Sequence, residues 1–155
     1  MNKKSAGIIL YRFSNKVLEV LLVHPGGPFW AKKDKGVWSI PKGEFDEDED
    51  VLEAAKREFE EELGSPVISK DLVELTPVKS KSNKIVYCFA AKEDFNTDNV
   101  KSNLCSIEWP PRTGRRMEIP EVDKAEWFDI KTTKEKILAY QLALIEEIKE
   151  RVSDV

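Results

Sequence analysis

Cysteine and histidine are both scarce in this 155-residue chain: two of the first, one of the second. Cys88 and Cys105 are not in CxxC spacing, which excludes a thiolate zinc site and a disulfide scaffold and leaves free thiols in a reducing compartment. His24 ends an apolar run, where a local hydrogen bond is its expected role. No apolar stretch approaches the ~20 residues of a membrane span. The opening MNKKSAGIILYRF turns polar too early for a signal peptide, so a cytoplasmic location is expected. An excess of positive charge is also missing: 25 basic against 29 acidic residues give a net charge of -4. That argues against nucleic-acid binding driven by overall charge, though not against a local basic groove. With no repeat, linker or low-complexity tail, a single domain over 1–155 is expected.

Hydrophobic residues make up 41% of the chain and charged residues 35%, a balance that suits a folded globular enzyme. Residues 6–13 (AGIILYRF) and 17–24 (VLEVLLVH) read as strands of a hairpin around the turn-like Ser14-Asn15-Lys16. The stretch 25–36 is a loop carrying Phe29, Trp30 and three lysines. Short strands are predicted at 37–40 (VWSI), 72–78, 84–91, 105–109 and 125–130, with loops at 93–103 and 110–120. One helix is predicted from about 51 to 63, between an acidic lead-in and Gly64. A second runs from a cap at Thr132 or Thr133 to about 151, burying Ile137, Leu138, Leu142, Ile145 and Ile148. Strands interspersed with two long helices predict an α/β fold with a mixed sheet covered by helices.

The segment GEFDEDEDVLEAAKREFEEELGS, from Gly43 to Ser65, carries the chemistry. On a helix, Glu58, Glu61 and Glu62 share one side, beside an apolar stripe of Val51, Leu52, Ala55, Phe59 and Leu63. Carboxylates crowded in this way repel unless a cation sits among them. Oxygen ligands select hard ions such as Mg²⁺, with Mn²⁺ as the alternative, and Mg²⁺ commonly accompanies phosphate-bearing substrates. A solvated acidic helix face is the plainer account of such a run taken alone.

The register of the run resembles the Nudix hydrolase pattern: Gly, five residues, Glu, seven residues, then Arg-Glu-apolar-any-Glu-Glu-any-Gly-apolar. Gly43, Glu49, Arg57, Glu58, Glu61, Glu62 and Gly64 meet every fixed identity, Phe59 fills the first apolar slot, and Ser65 departs from the second. The resemblance implies a Nudix-like α/β/α sandwich with a mixed sheet between helices. It also implies metal ligation by Glu58, Glu61, Glu62 and the Gly43 carbonyl, a supporting role for Glu49, and Arg57 as the arginine that holds a motif carboxylate. SAGIILYR, WSIPKGE, VYCFAA and EVDKAEWF are similar to the diadenosine polyphosphate hydrolase branch. By that likeness Tyr87 stacks on a base and Lys42 meets a phosphate. The general base is a motif glutamate or a loop acid, with Glu121 favoured over Glu118. Arg112, Arg115 and Arg116 could grip polyphosphate or RNA, or simply be solvated, and Phe29 and Trp30 line a base pocket or pack locally.

The implied activity is Mg²⁺-dependent hydrolysis of the pyrophosphate bond in nucleoside diphosphate derivatives, above all dinucleoside polyphosphates such as diadenosine tetraphosphate. The alternatives are an RNA 5′-pyrophosphohydrolase, a nucleoside triphosphate pyrophosphatase, or a nucleotide sensor without turnover. The expected partner is a small nucleotide, with no membrane and RNA 5′ ends left open, and the chain acts as monomer or homodimer.

Overall fold

The computed structural model describes residues 3–152. It begins with the hairpin of β1 (Lys4–Ser14) and β2 (Val17–Pro25). Asn15 and Lys16 both take positive φ, 51° and 69°, the two-residue turn that suits the twist of paired strands. Further along lie β3 (Lys42–Glu44), α1 (Val51–Leu63), β4 (Val73–Glu74), β5 (Val78–Lys79) and β6 (Ile85–Lys92). Then come β7 (Leu104–Glu108), β8 (Arg116–Pro120), β9 (Val122–Asp129), α2 (Ile130–Lys136) and α3 (Leu142–Arg151). Seven strands form one mixed sheet in the order β4-β6-β1-β2-β9, with β3 added to β1 and β5 to β6; β7 and β8 form a separate two-stranded ribbon.

Alternation along the strands divides the core in two. Ile8, Leu10, Leu21, Val23, Phe89 and Ala91 face α1, meeting Ala54, Ala55, Phe59 and Leu63. Ile9, Val20, Leu22, Val86, Cys88 and Ala90 face the opposite way, against Leu144, Ile145 and Ile148 of α3. The result is the expected sheet between helices. Burial pushes the Cys88 thiol far up, so it is an unreactive packing group.

The central strand changes partner midway. Its start, Ser5–Gly7, pairs with β3. Its end, Tyr11–Ser14, pairs with β2. Between them Ile8 N donates to Pro41 O at 3.2 Å, and Val23 exchanges backbone bonds with Ser39. Segment 39–44 therefore fills a split between β1 and β2, carrying Lys42 and Gly43 onto the sheet beside α1. The strand predicted at 37–40 is replaced by isolated bridges, Val23 with Ser39 and Trp38 with Ile137.

Other boundaries differ for local reasons. The strand expected at 72–78 is broken into β4 and β5, since Pro77 has no N–H to give a ladder. Half of the loop expected at 110–120 is β8, which pairs with β7 from Glu108↔Arg116 to Leu104↔Pro120. The long C-terminal helix is two helices. Asp129, not Thr132 or Thr133, caps the first by accepting from Thr132 N. The helix stops at Ile137 because Trp38 captures the backbone there: Trp38 N donates to Lys136 O and Leu138 N to Trp38 O. Ile137 is buried regardless, so the apolar period continues across the break.

Gln141, fully buried, holds the split segment from the other side. Its Oε1 accepts from Ile40 N at 3.0 Å, and its Nε2 donates to Ser39 Oγ and Tyr140 OH, each at 3.0 Å. Gln141→Leu strands the Ile40 N–H and should cost about 2 kcal/mol, a fall of roughly 5 °C in the melting midpoint. A melt within a degree of the wild type would refute that role.

Candidate active site

Helix α1 starts at Asp50, whose side chain accepts from Glu53 N at 3.1 Å, and closes at Gly64, whose N–H donates to Glu60 O. Phe59 and Leu63 anchor it to the sheet, and the adjoining side chains sink with them. Glu58 and Glu62 are only 7% and 5% exposed, whereas Glu61 is half-exposed. Buried carboxylates at that level need partners.

Arg57 supplies one set. Its Nη1 donates to Glu58 Oε1 at 2.8 Å and to Glu61 Oε1 at 3.3 Å. Its Nε and Nη2 clamp both oxygens of Glu49 at 3.1 Å. Opposite charge on three sides holds the guanidinium well above its ordinary pKa. Gly43 of β3 supplies a floor: a Cβ there would lie 1.9 Å from Glu58 Oε2, so the carboxylate rests directly on glycine backbone.

Glu62 has less. Burial first, then the charges of Glu121 and Glu58, push its pKa up to about 9, against Lys42 and the Lys42 N–H that bonds to it. Glu58 is raised as well, by burial and then by Glu61, against Arg57. Negative charge in the cleft exceeds the local positive charge.

Glu121 sits at the corner between β8 and β9. Its N–H donates to Asn103 O at 3.0 Å, its carbonyl accepts from Gly26 N at 3.0 Å, and its Oε1 accepts from Asn103 Nδ2 at 3.1 Å. Asn103 N in turn donates to Glu61 O at 2.8 Å. Asn103 thus ties the end of α1 to Glu121. It was not singled out from sequence, because an isolated loop Asn carries no pattern. Glu118 points from the exposed side of β8 opposite Ser106 and does not line the cleft.

A cavity of about 280 Å³ opens beside these acids, with Lys42, Glu62 and Glu121 at one end and Trp30, Val37 and Leu138 forming apolar wall. Tyr87 lies elsewhere. It stands half-buried on β6, its ring edge-on to Phe45 at 6.1 Å. Both Tyr87 and Gly43 are in register with Ala6, so Tyr87 lies two strands from Gly43. Arg116 is spent on Ser106, donating to its Oγ at 3.1 Å and its carbonyl at 3.0 Å. His24 makes the expected local bond, Nε2 to Lys33 O at 2.7 Å, but its Nδ1 also meets Asp123 Oδ1 at 2.9 Å. It therefore pins the 25–36 loop to β9.

Among the described residues, no three acidic, histidine or cysteine side chains are gathered tightly enough to chelate an ion. The donor set nevertheless fits a hard divalent cation. Its donors are all oxygens, Arg57 already orients Glu58 and Glu61, and Glu62, its pKa raised by burial and then by Glu121 and Glu58, stands among acids whose charge a cation would offset.

Comparison with known proteins gives the family and the fold. The NUDIX domain model matches residues 1–146. The chain belongs to the Nudix family. It is 31% identical to Nudix hydrolase 7 of Arabidopsis thaliana over 114 residues, 68% of this chain but 38% of that protein, so it spans well under half of that relative's length. It is 26% identical to the RNA pyrophosphohydrolase of Pelagibacter ubique, over 99% of this chain and 92% of that one. In fold it is similar to the NUDIX domain of Shewanella oneidensis NrtR in complex with ADP ribose (TM-score 0.67, 21% identity, 97% of this chain and 88% of that one). It is also similar to a C. elegans Ap4A hydrolase (TM-score 0.64, 24% identity, 96% of each chain). No helix among the described residues is long and apolar enough to cross a membrane.

Proposed function

We propose that this chain is a pyrophosphohydrolase that cleaves the phosphoanhydride of nucleoside diphosphate derivatives, with dinucleoside polyphosphates as preferred substrates. The observation that carries the reading is the convergence of Glu58 and Glu62, both buried, with Glu121 across the cleft, on a floor of glycine backbone. The hydrolase relatives support the same class. Glu58, Glu61, Glu62 and the Gly43 carbonyl would hold Mg²⁺, or Mn²⁺ in its place. Such an ion, when bound, neutralises phosphate oxygens and acidifies water. Arg57 keeps Glu58 and Glu61 in their rotamers, a supporting role that Glu49 completes from behind. Glu121, aimed by Asn103, takes the proton of the attacking water. Lys42 meets the bridging phosphates as a point charge, and Tyr87 with Phe45 offers one base a ring on the α1 side of the sheet.

A second reading, hydrolysis at the 5′ end of RNA, is favoured by the full-length likeness to an RNA pyrophosphohydrolase. The net charge of -4 disfavours it. A panel of diadenosine tetraphosphate, nucleoside triphosphates, ADP-ribose and 5′-triphosphorylated RNA, assayed with Mg²⁺ and Mn²⁺ and read by product mass, separates them. The dinucleotide should be turned over fastest, leaving two phosphorylated nucleosides. Saturable nucleotide binding with no product under either ion would make the chain a sensor instead.

A further inference from the structure

A second cleft, of about 260 Å³, lies between the 25–30 loop and the β7–β8 ribbon. The loop lies flat on the ribbon because it is glycine there. A Cβ on Gly26 would meet Pro120 O at 2.0 Å, and one on Gly27 would meet Ile119 Cδ1 at 2.6 Å. Beyond the glycines the surfaces part. Phe29 and Trp30 form one wall and Ile107, Trp109 and Ile119 the other, with Glu108 at the rim. Phe29 stands edge-on to Trp30 at 4.7 Å, and Lys33 Nζ lies 3.9 Å from the Phe29 ring centre. Close-packed proteins rarely leave aromatic side chains around a gap of this size unless it receives something.

Three observations bear on the occupant. Trp30 lines both this cleft and the cavity holding Glu62 and Glu121, so the two spaces lie on either side of one ring. At about 260 Å³ the cleft has room for one ring system, much as the cavity of about 280 Å³ beside the acids has. Arg112 and Arg115, at the ribbon's tip, make no ion pair among the described residues. We propose that the cleft walled by Phe29, Trp30 and Trp109 binds the second nucleobase of a two-base polyphosphate substrate. This rests on the pyrophosphohydrolase reading above and sharpens it: selectivity for a dinucleoside polyphosphate over a mononucleotide resides here.

The test compares kcat/KM on diadenosine tetraphosphate with that on adenosine 5′-tetraphosphate, which has the same phosphate count and one base. Phe29 is 51% exposed, so Phe29→Ala disturbs little packing. Both Phe29→Ala and Trp109→Ala should lower the two-base to one-base ratio by roughly 5- to 100-fold, the worth of one stacked base, chiefly through KM. Trp109→Phe should restore most of it. A ratio unchanged in both alanine variants, while the wild type hydrolyses either compound, overturns the cleft and leaves the reaction standing. A loss confined to a 5′-triphosphorylated oligoribonucleotide also overturns it, in favour of RNA. If the wild type hydrolyses neither compound, the reaction reading has failed, and adenosine titrated against tryptophan fluorescence decides the cleft: saturable quenching weakened by Phe29→Ala supports it, and none refutes it.

Discussion

Glu62→Gln is expected to abolish turnover, by about a thousandfold or more, and at the same time to make the metal-free protein more stable at neutral and alkaline pH. The two effects have one cause. Glu62 is buried beside Glu58 and Glu121, and its pKa is pushed up to about 9 in the folded chain against an ordinary 4.5. Between those values the unfolded chain has released the proton and the folded chain has not. The folded state therefore binds more protons, and stability falls as pH rises through that window. One proton is worth up to ~1.4 kcal/mol per pH unit, or about 3 °C in a chain of this size. Glutamine has no proton to lose, so the melting curves of wild type and variant in EDTA should diverge steadily from pH 5 to pH 9. Loading the wild type with Mg²⁺ or Mn²⁺ below pH 9 should release protons, which calorimetry in two buffers of different ionisation heat would count. Parallel melting curves, or a Glu62→Gln enzyme of near-normal rate with Mg²⁺, would remove Glu62 from the site.

Gly43→Ala carries the other large effect. The added methyl would fall 1.9, 2.1 and 2.6 Å from Oε2, Cδ and Oε1 of Glu58, so the whole carboxylate stands in its way. Either β3 lifts from β1 or Glu58 leaves the grip of Arg57. Activity should drop at least ~100-fold, and stability by about 1–3 kcal/mol as in other overpacked sites. The double variant Gly43→Ala, Glu58→Ala should recover most of the lost stability and none of the activity. Strict additivity of the two stability changes would show that the methyl and the carboxylate do not compete for one space.

The acidic helix was legible because its signal is periodic and local. Glu58, Glu61 and Glu62 must share a side of any helix through them, and the neighbouring stripe of Phe59 and Leu63 dictates how deep they sit. The central strands were legible as the near-continuous apolar runs 6–13, 17–24 and 84–91, the pattern of strands buried on both faces. Elsewhere the deciding partner is far along the chain. The C-terminal helix breaks because Trp38, about a hundred residues earlier, captures the backbone at 136–138. Asp129 takes the cap expected of Thr132 or Thr133, and β8 exists only by pairing with β7. Within the site, Glu121 enters the cleft and Glu118 does not, a choice set by the turn between β8 and β9 that no local pattern announces. Asn103 acts through three hydrogen bonds to two separate elements, so nothing near it in sequence marks it out. Tyr87 shares the α1 face of the sheet but stands on β6, two strands from Gly43 and outside the main cavity's lining, a placement set by strand order that its own segment does not reveal.

Among the described residues, the β7–β8 ribbon shares no ladder with the main sheet. Its tip can lengthen, shorten or change sequence without disturbing the hydrogen bonds through which Arg57 orients the helix acids. The cleft proposed for the second base thus takes one wall from an appendage, while the proposed metal ligands belong to the frame. Descendants of this chain can diverge in what they consume long before they diverge in how they consume it.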